Sequence, residues 1–177
     1  SLSIQSAPFG EFSEAGNWLI HSVSIGDAAG NVRSYNLGQL ETLGISTQVV
    51  VNNASSDSQA PVISAFNLVE SELTIETGME MLTFDLTVTD DISGISFAEV
   101  SLRSPSGQTI SSGLYGRSLG GLVHNLSLRS AEFGEYSEAG IWSISAVMMY
   151  DIAGNSNWYN LEQLEALGFD TTVTVNN

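Results

Sequence analysis

The sequence predicts an all-β fold made of antiparallel β-sandwich repeats with one short helix per repeat. Three observations predict it. Residues 1–53 align without a gap on residues 125–177 with 31 identities, an internal repeat with an offset of 124 residues. Apolar and polar residues alternate with a period of two in several short segments, as half-buried strands do. Turn-forming residues recur every eight to twelve positions, the spacing of a sandwich.

A period of 124 residues is far longer than a solenoid repeat, so each copy is expected to be a domain with its own core. The phase makes residues 54–177 one complete repeat and residues 1–53 the C-terminal part of a preceding one. Between them, 52–61 (Asn-Asn-Ala-Ser-Ser-Asp-Ser-Gln-Ala-Pro) has a linker's composition. Fifty-three residues with three or four strands lack an opposing sheet. The expectation is that upstream chain supplies the missing half, that a second copy does so as a strand-exchanged homodimer, or that the half-repeat packs on the full one.

Taken along the complete repeat, the elements follow from local pattern. Short strands are expected at 62–68 and 72–76. In 81–89, Leu82, Phe84, Leu86 and Val88 share one face, against Thr83, Asp85, Thr87 and Thr89 on the other. Ala98, Val100 and Leu102 form a second stripe that ends in Ser104-Pro-Ser-Gly107, a β-turn sequence. Further strands are expected at 108–115, 122–128 and 171–175. Trp142, Ile144, Ala146 and Met148 read as one apolar face against Ser143 and Ser145, echoed by Trp18 and Ile20 in the first copy. In 160–168, leucines at 161, 164 and 167 lie between a capping asparagine and a closing glycine, which predicts a short helix.

Charge narrows the function classes. Twenty acids stand against four arginines and no lysine, a net charge of −16. Such a chain is repelled by phosphate backbones and anionic lipid, so nucleic acid is excluded as a partner and cations are favoured. The absence of cysteine removes disulfides and thiolate chemistry. No apolar run is long enough to span a bilayer, so membrane insertion is not expected.

The candidate site residues are aspartates at strand ends. Asp90 and Asp91 precede Ser93-Gly94, Asp151 stands three residues before Gly154, Asp27 is its counterpart in the first copy, and Asp57 lies in the linker. Calcium takes six to eight oxygen ligands, and a chain without lysine keeps ammonium competitors away. The same residues suit Asx turns, in which the carboxylate accepts backbone amides. Both readings stay open at this level.

Glu11 with Glu14, and Glu135 with Glu138, are carboxylate pairs, but their repetition in both copies favours a shared structural loop over an active site. His21 is replaced by Ser145 in the second copy, and His124 shares parity with Leu126, as a packed residue would. No nucleophile elbow or phosphate-binding glycine loop occurs, so no enzymatic activity is expected. Trp18 and Trp142 sit on an apolar face and read as core, whereas Trp158 and Tyr159 are candidates for exposure.

Ala60-Pro-Val-Ile-Ser64, Thr87-Val-Thr-Asp-Asp-Ile-Ser-Gly-Ile95, Leu102-Arg-Ser-Pro-Ser-Gly-Gln108 and Asp151-Ile-Ala-Gly-Asn155 together resemble bacterial immunoglobulin-like and cadherin-like tandem repeats. The resemblance implies an immunoglobulin-like sandwich in a large secreted or surface-anchored protein. It implies a non-catalytic structural or adhesive module, with neighbouring repeats of the same chain and a cell-surface or glycan ligand as partners, and calcium at strand ends or junctions. The alternative is a carbohydrate-binding accessory module of a secreted polysaccharide-degrading enzyme or protease.

Overall fold

The computed structural model describes residues 8–114 and 121–177. Residues 1–7 of the first repeat and residue 115 of the expected strand 108–115 lie outside them. The chain divides into two compact units, Ser1–Ser56 and Asp57–Asn177.

The first unit holds β1 (Gly16–Leu19), β2 (Ser22–Gly26), β3 (Val32–Asn36), α1 (Leu37–Thr42) and β4 (Gln48–Val51). β1 pairs antiparallel with β4, and β2 with β3, which leaves two separate two-stranded ladders. The second unit holds β5 (Val62–Leu68), β6 (Glu72–Thr74), β7 (Thr83–Thr89), β8 (Ile95–Arg103), β9 (Thr109–Leu114), β10 (Val123–Arg129), β11 (Gly140–Asp151), β12 (Ser156–Asn160), α2 (Leu161–Ala166) and β13 (Thr172–Asn176). Its strands form two sheets. One is the antiparallel β10-β7-β5; the other runs β6-β13-β11-β8-β9, with β12 also paired to β11. All pairings are antiparallel except β6 with β13.

Alternation places the core of the second unit. Phe84, Leu86 and Val88 of β7 and the preceding Leu82 are buried, as are Ala98, Val100 and Leu102 of β8. With Leu126 and Leu128 of β10 and Val173 and Val175 of β13, they join one apolar cluster. Such close packing between two inner faces is what a sandwich requires.

One expectation is corrected. β11 does not keep a single apolar face: Trp142 and Ile144 are buried, but Val147 and Met149 follow them inward, in place of Ala146 and Met148. The register against β8 shifts between Ile144 and Ala146, and this bulge inserts one residue and reverses the parity of the strand beyond it. Simple alternation cannot carry across a bulge. β12 is a further strand beyond those expected; its Asn157-Trp158-Tyr159 lacks a clean alternating signal.

Both helices start with the same capping box. Asn36 and Asn160 accept from the amides of Gln39 and Gln163, and the glutamine side chains accept from the asparagine amides, at 2.9–3.0 Å. Each helix buries one leucine, Leu40 or Leu164, and ends at a glycine with positive φ.

The boundary between the units lies at Ser56/Asp57 rather than after Asn53. Asn53 Nδ2 donates to the carbonyls of Glu11 and Ser13, and Ser56 Oγ accepts from the Ala15 amide, so these residues fasten to the first unit. Asn177 makes the same pair of bonds to Glu135 and Ser137 at the end of the second.

Candidate functional site

At one end of the second unit, three aspartates distant in sequence converge. Asp57 opens the unit, Asp90 follows β7, and Asp151 closes β11. One carboxylate oxygen from each lies within 4.8 Å of the others. All three side chains are buried, at 2, 9 and 2 % exposure respectively.

Local turn chemistry holds each carboxylate. Asp57 Oδ1 accepts from the Gln59 amide, and its Oδ2 accepts from the Ser93 amide at 3.0 Å, tying the start of the unit to the loop after β7. Asp90 Oδ2 accepts from the amides of Ile92 and Gly94, the latter at 2.6 Å. Asp151 Oδ1 accepts from the amides of Gly154 and Asn155, and its Oδ2 from Asn155 Nδ2. Asn155 Nδ2 also reaches the Asp57 carbonyl at 3.3 Å. Gly94 is required where it stands: its φ is +81°, and an added Cβ would sit 2.7 Å from the Gly121 carbonyl oxygen.

Turn chemistry accounts for every carboxylate oxygen but one. Asp90 Oδ1 is buried and has no hydrogen-bond partner. A buried, unpaired carboxylate oxygen facing two other carboxylates is costly, since both desolvation and like charge oppose ionisation. The strain registers on Asp151. Burial pushes its carboxyl above the usual aspartate range, the Asn155 and Gly154 donors oppose that push, and the Asp57 charge adds to it.

The donor set is all oxygen, without histidine or thiol, which suits a hard cation. Opposed ligands around calcium lie about 5 Å apart, from Ca–O distances of 2.3–2.6 Å, so carboxylate oxygens within 4.8 Å of one another fit that ion. The orphaned Asp90 oxygen provides the coordinating atom such a site needs.

The other expected aspartates stand apart. Asp91 is exposed and outside the cluster. Asp27 belongs to the first unit, where it makes the same loop as Asp151: it accepts from the Ala29 and Asn31 amides and from Asn31 Nδ2. Asp27 is exposed, and the Asn31 side chain and backbone hold its carboxyl below the usual range. Asp57 and Asp90 therefore matter through long-range convergence that no local motif announces; only the paired Asp-x-Ala-Gly-Asn loops were visible as a pattern.

The remaining candidates resolve into structure. Glu138 Oε2 accepts from the amide and hydroxyl of Ser106 in the β8–β9 turn. The Ser104 and Ser106 hydroxyls and the Ser106 amide hold its carboxyl below the usual glutamate range. His124 Nε2 lies 2.9 Å from the Gly121 carbonyl. Trp142 is core, with its indole N–H bonded to the Glu138 carbonyl, while Trp18 and Trp158 are exposed. A second surface feature lies on the outer side of the larger sheet, where Met148 pairs with the exposed Trp158 and Tyr150 pairs with Phe97. The Tyr150 and Phe97 rings meet edge to face at 5.6 Å. The first copy carries Ser24, Gly26 and Ser34 where the second has Met148, Tyr150 and Trp158.

Comparison with models of known protein families gives no match. Comparison with curated proteins gives none either.

Proposed function

We propose that the chain is a non-catalytic structural or adhesive repeat of an extracellular bacterial protein, and that Asp57, Asp90 and Asp151 hold calcium at one end of each complete repeat. The observation that carries the reading is the buried, unpaired Asp90 oxygen among three carboxylates. A divalent ion there neutralises the cluster and links the start of the unit to the ends of β7 and β11. Its contribution is charge and coordination, with no reaction step. Duplication of the capping boxes and aspartate loops supports a module whose copies share structure.

An immunoglobulin-like sandwich is part of the proposal. Assigning β5, β7 and β10 to one sheet and β8, β11 and β13 to the other parallels the partition of first, second and fifth strands against third, sixth and seventh in that fold.

Calcium titration with calorimetry tests the site. Extracellular modules bind calcium with Kd near 10⁻⁴–10⁻³ M, and at ten times Kd the ion stabilises by about 1.4 kcal/mol, a Tm rise of about 3–6 °C. Asp90→Asn is expected to abolish that rise. It also raises the metal-free Tm by a few degrees, because an amide N–H replaces the unpaired oxygen beside two carboxylates. A flat calcium response in the unsubstituted protein would leave only turn chemistry.

The aromatic row of Phe97, Tyr150 and Trp158 favours a second reading, carbohydrate binding, because it is present in one copy and replaced by small residues in the other. Glycan-array binding that is lost in Trp158→Ala would establish it.

A further inference from the structure

The two copies share their sequence and their local geometry but not their burial. Trp18 and Trp142 each donate the indole N–H to the carbonyl four residues earlier, at 2.9 and 2.8 Å. Each meets a phenylalanine edge to face, Phe9 at 5.3 Å and Phe133 at 5.0 Å. Yet Trp142 is 3 % exposed and Trp18 is 44 %; Val173 is 1 % exposed and its counterpart Val49 is 47 %. Ile144 is fully buried, whereas Ile20 is exposed.

The second unit shows what accounts for the difference. There the inward faces of β11 and β13 share one core with Phe66 of β5, Phe84 and Leu86 of β7, and Leu126 of β10. The backbone differs in the same sense. β11 is paired along both edges, to β8 on one side and to β13 and β12 on the other. Among the described residues, β1 pairs only with β4, and β2 only with β3, so the edge that β8 fills in the second unit is open in the first. An open edge and a wet apolar face on the same strands call for the same partner.

We infer that the exposed face and edge of residues 16–51 form a docking surface whose occupant is the first half of a repeat, a segment patterned like residues 54–124. It would add a strand equivalent to β8 along β1 and β2, and lay the equivalents of β5 and β7 over Trp18, Ile20 and Val49. The surface is shaped for that occupant because the first unit keeps Trp18, Ile20, Val23, Val49 and Val51, the residues whose counterparts are Trp142, Ile144, Val147, Val173 and Val175. By contrast, residues on the outer side of the same strands have diverged, as at Ser24 and Met148. This inference shares the module reading but is independent of its cation.

The test joins a second copy of residues 54–124 directly ahead of Ser1 of the full chain, which leaves the repeat register unbroken because residue 1 is the counterpart of residue 125. The added segment contains no tryptophan, so the indole signals report only Trp18, Trp142 and Trp158. Hydrogen exchange at the Trp18 indole and the Val49 amide is expected to slow at least about 100-fold relative to the original chain, approaching Trp142 and Val173 in the same sample. Unchanged exchange, whether the added half stays unfolded or folds elsewhere, would overturn the inference. So would a dimer of the original 177-residue chain, seen by sedimentation, in which Trp18 is already protected, since a second copy of the same face would then be the occupant. Calcium titration of either chain reports on the aspartate cluster separately, so the two ideas fail by different measurements.

Discussion

At the residue scale, identical side chains in the two copies have different energetic roles because stability is set by what surrounds them. Trp142→Ala removes a buried indole and its contact with Phe133, and is expected to cost about 3–5 kcal/mol. Trp18→Ala removes a half-exposed ring that meets only one side of its surroundings, and should cost about 1 kcal/mol or less of the first unit's stability. Chemical denaturation of each variant, followed by unit-specific amide exchange, checks the contrast; equal losses would contradict it. The same logic governs the aspartates. Asp27 and Asp151 make matching loops, but Asp27 is exposed and shifted down whereas Asp151 is buried and pushed up. Sequence alone ranks them equally.

At the element scale, turns and strand ends carry the long-range fastening. The Glu138 carboxylate bridges the loop ahead of β11 to the β8–β9 turn through Ser106, and its carboxyl is held below the usual range by the serine hydroxyls. A depressed folded value means that this link contributes stability above the ordinary glutamate range and loses it as pH falls through the lower folded value. Carbon-13 NMR of the side-chain carboxyl is expected to show Glu138 titrating below Glu135. In Ser106→Ala that midpoint should move back toward the ordinary range, and a midpoint indifferent to Ser106 would disprove the link. The bulge in β11 belongs to this scale too. It turns Val147 and Met149 inward and thereby sets Met148 and Tyr150 on the outer side, where they pair with Trp158 and Phe97. Without the shift, Asp151 would lie on the opposite parity from Ile144, and its carboxylate would not reach Asp57 and Asp90.

At the scale of the whole molecule, the second unit has a closed core and the first has two ladders with apolar residues in water. Leu19, Ile25, Val32 and Val50 are all more than half exposed. Such a patch binds hydrophobic dyes. The full chain is expected to enhance anilinonaphthalene sulfonate fluorescence, and removal of residues 1–53 to abolish most of that signal while the melting transition of the second unit persists. Retention of the dye signal after the removal would place the wet apolar surface elsewhere. No helix among the described residues is long and apolar enough to cross a membrane.

The sequence by itself determined what depends on neighbours along the chain. The repeat and its phase, the β7 and β8 stripes, the Ser104–Gly107 turn and the helix capped by Asn160 follow from periodicity, dihedral preference and capping chemistry, which act over a few residues. Tertiary structure decided what depends on neighbours in space. It gathered Asp57, Asp90 and Asp151 from positions up to 94 residues apart while leaving Asp91 outside. It reversed the face of β11 at a bulge, and it buried Trp142 while leaving Trp18 wet. The physical reason is that burial and electrostatic coupling are properties of an assembled surface, and one local sequence acquires them only where the opposing sheet is present to exclude water.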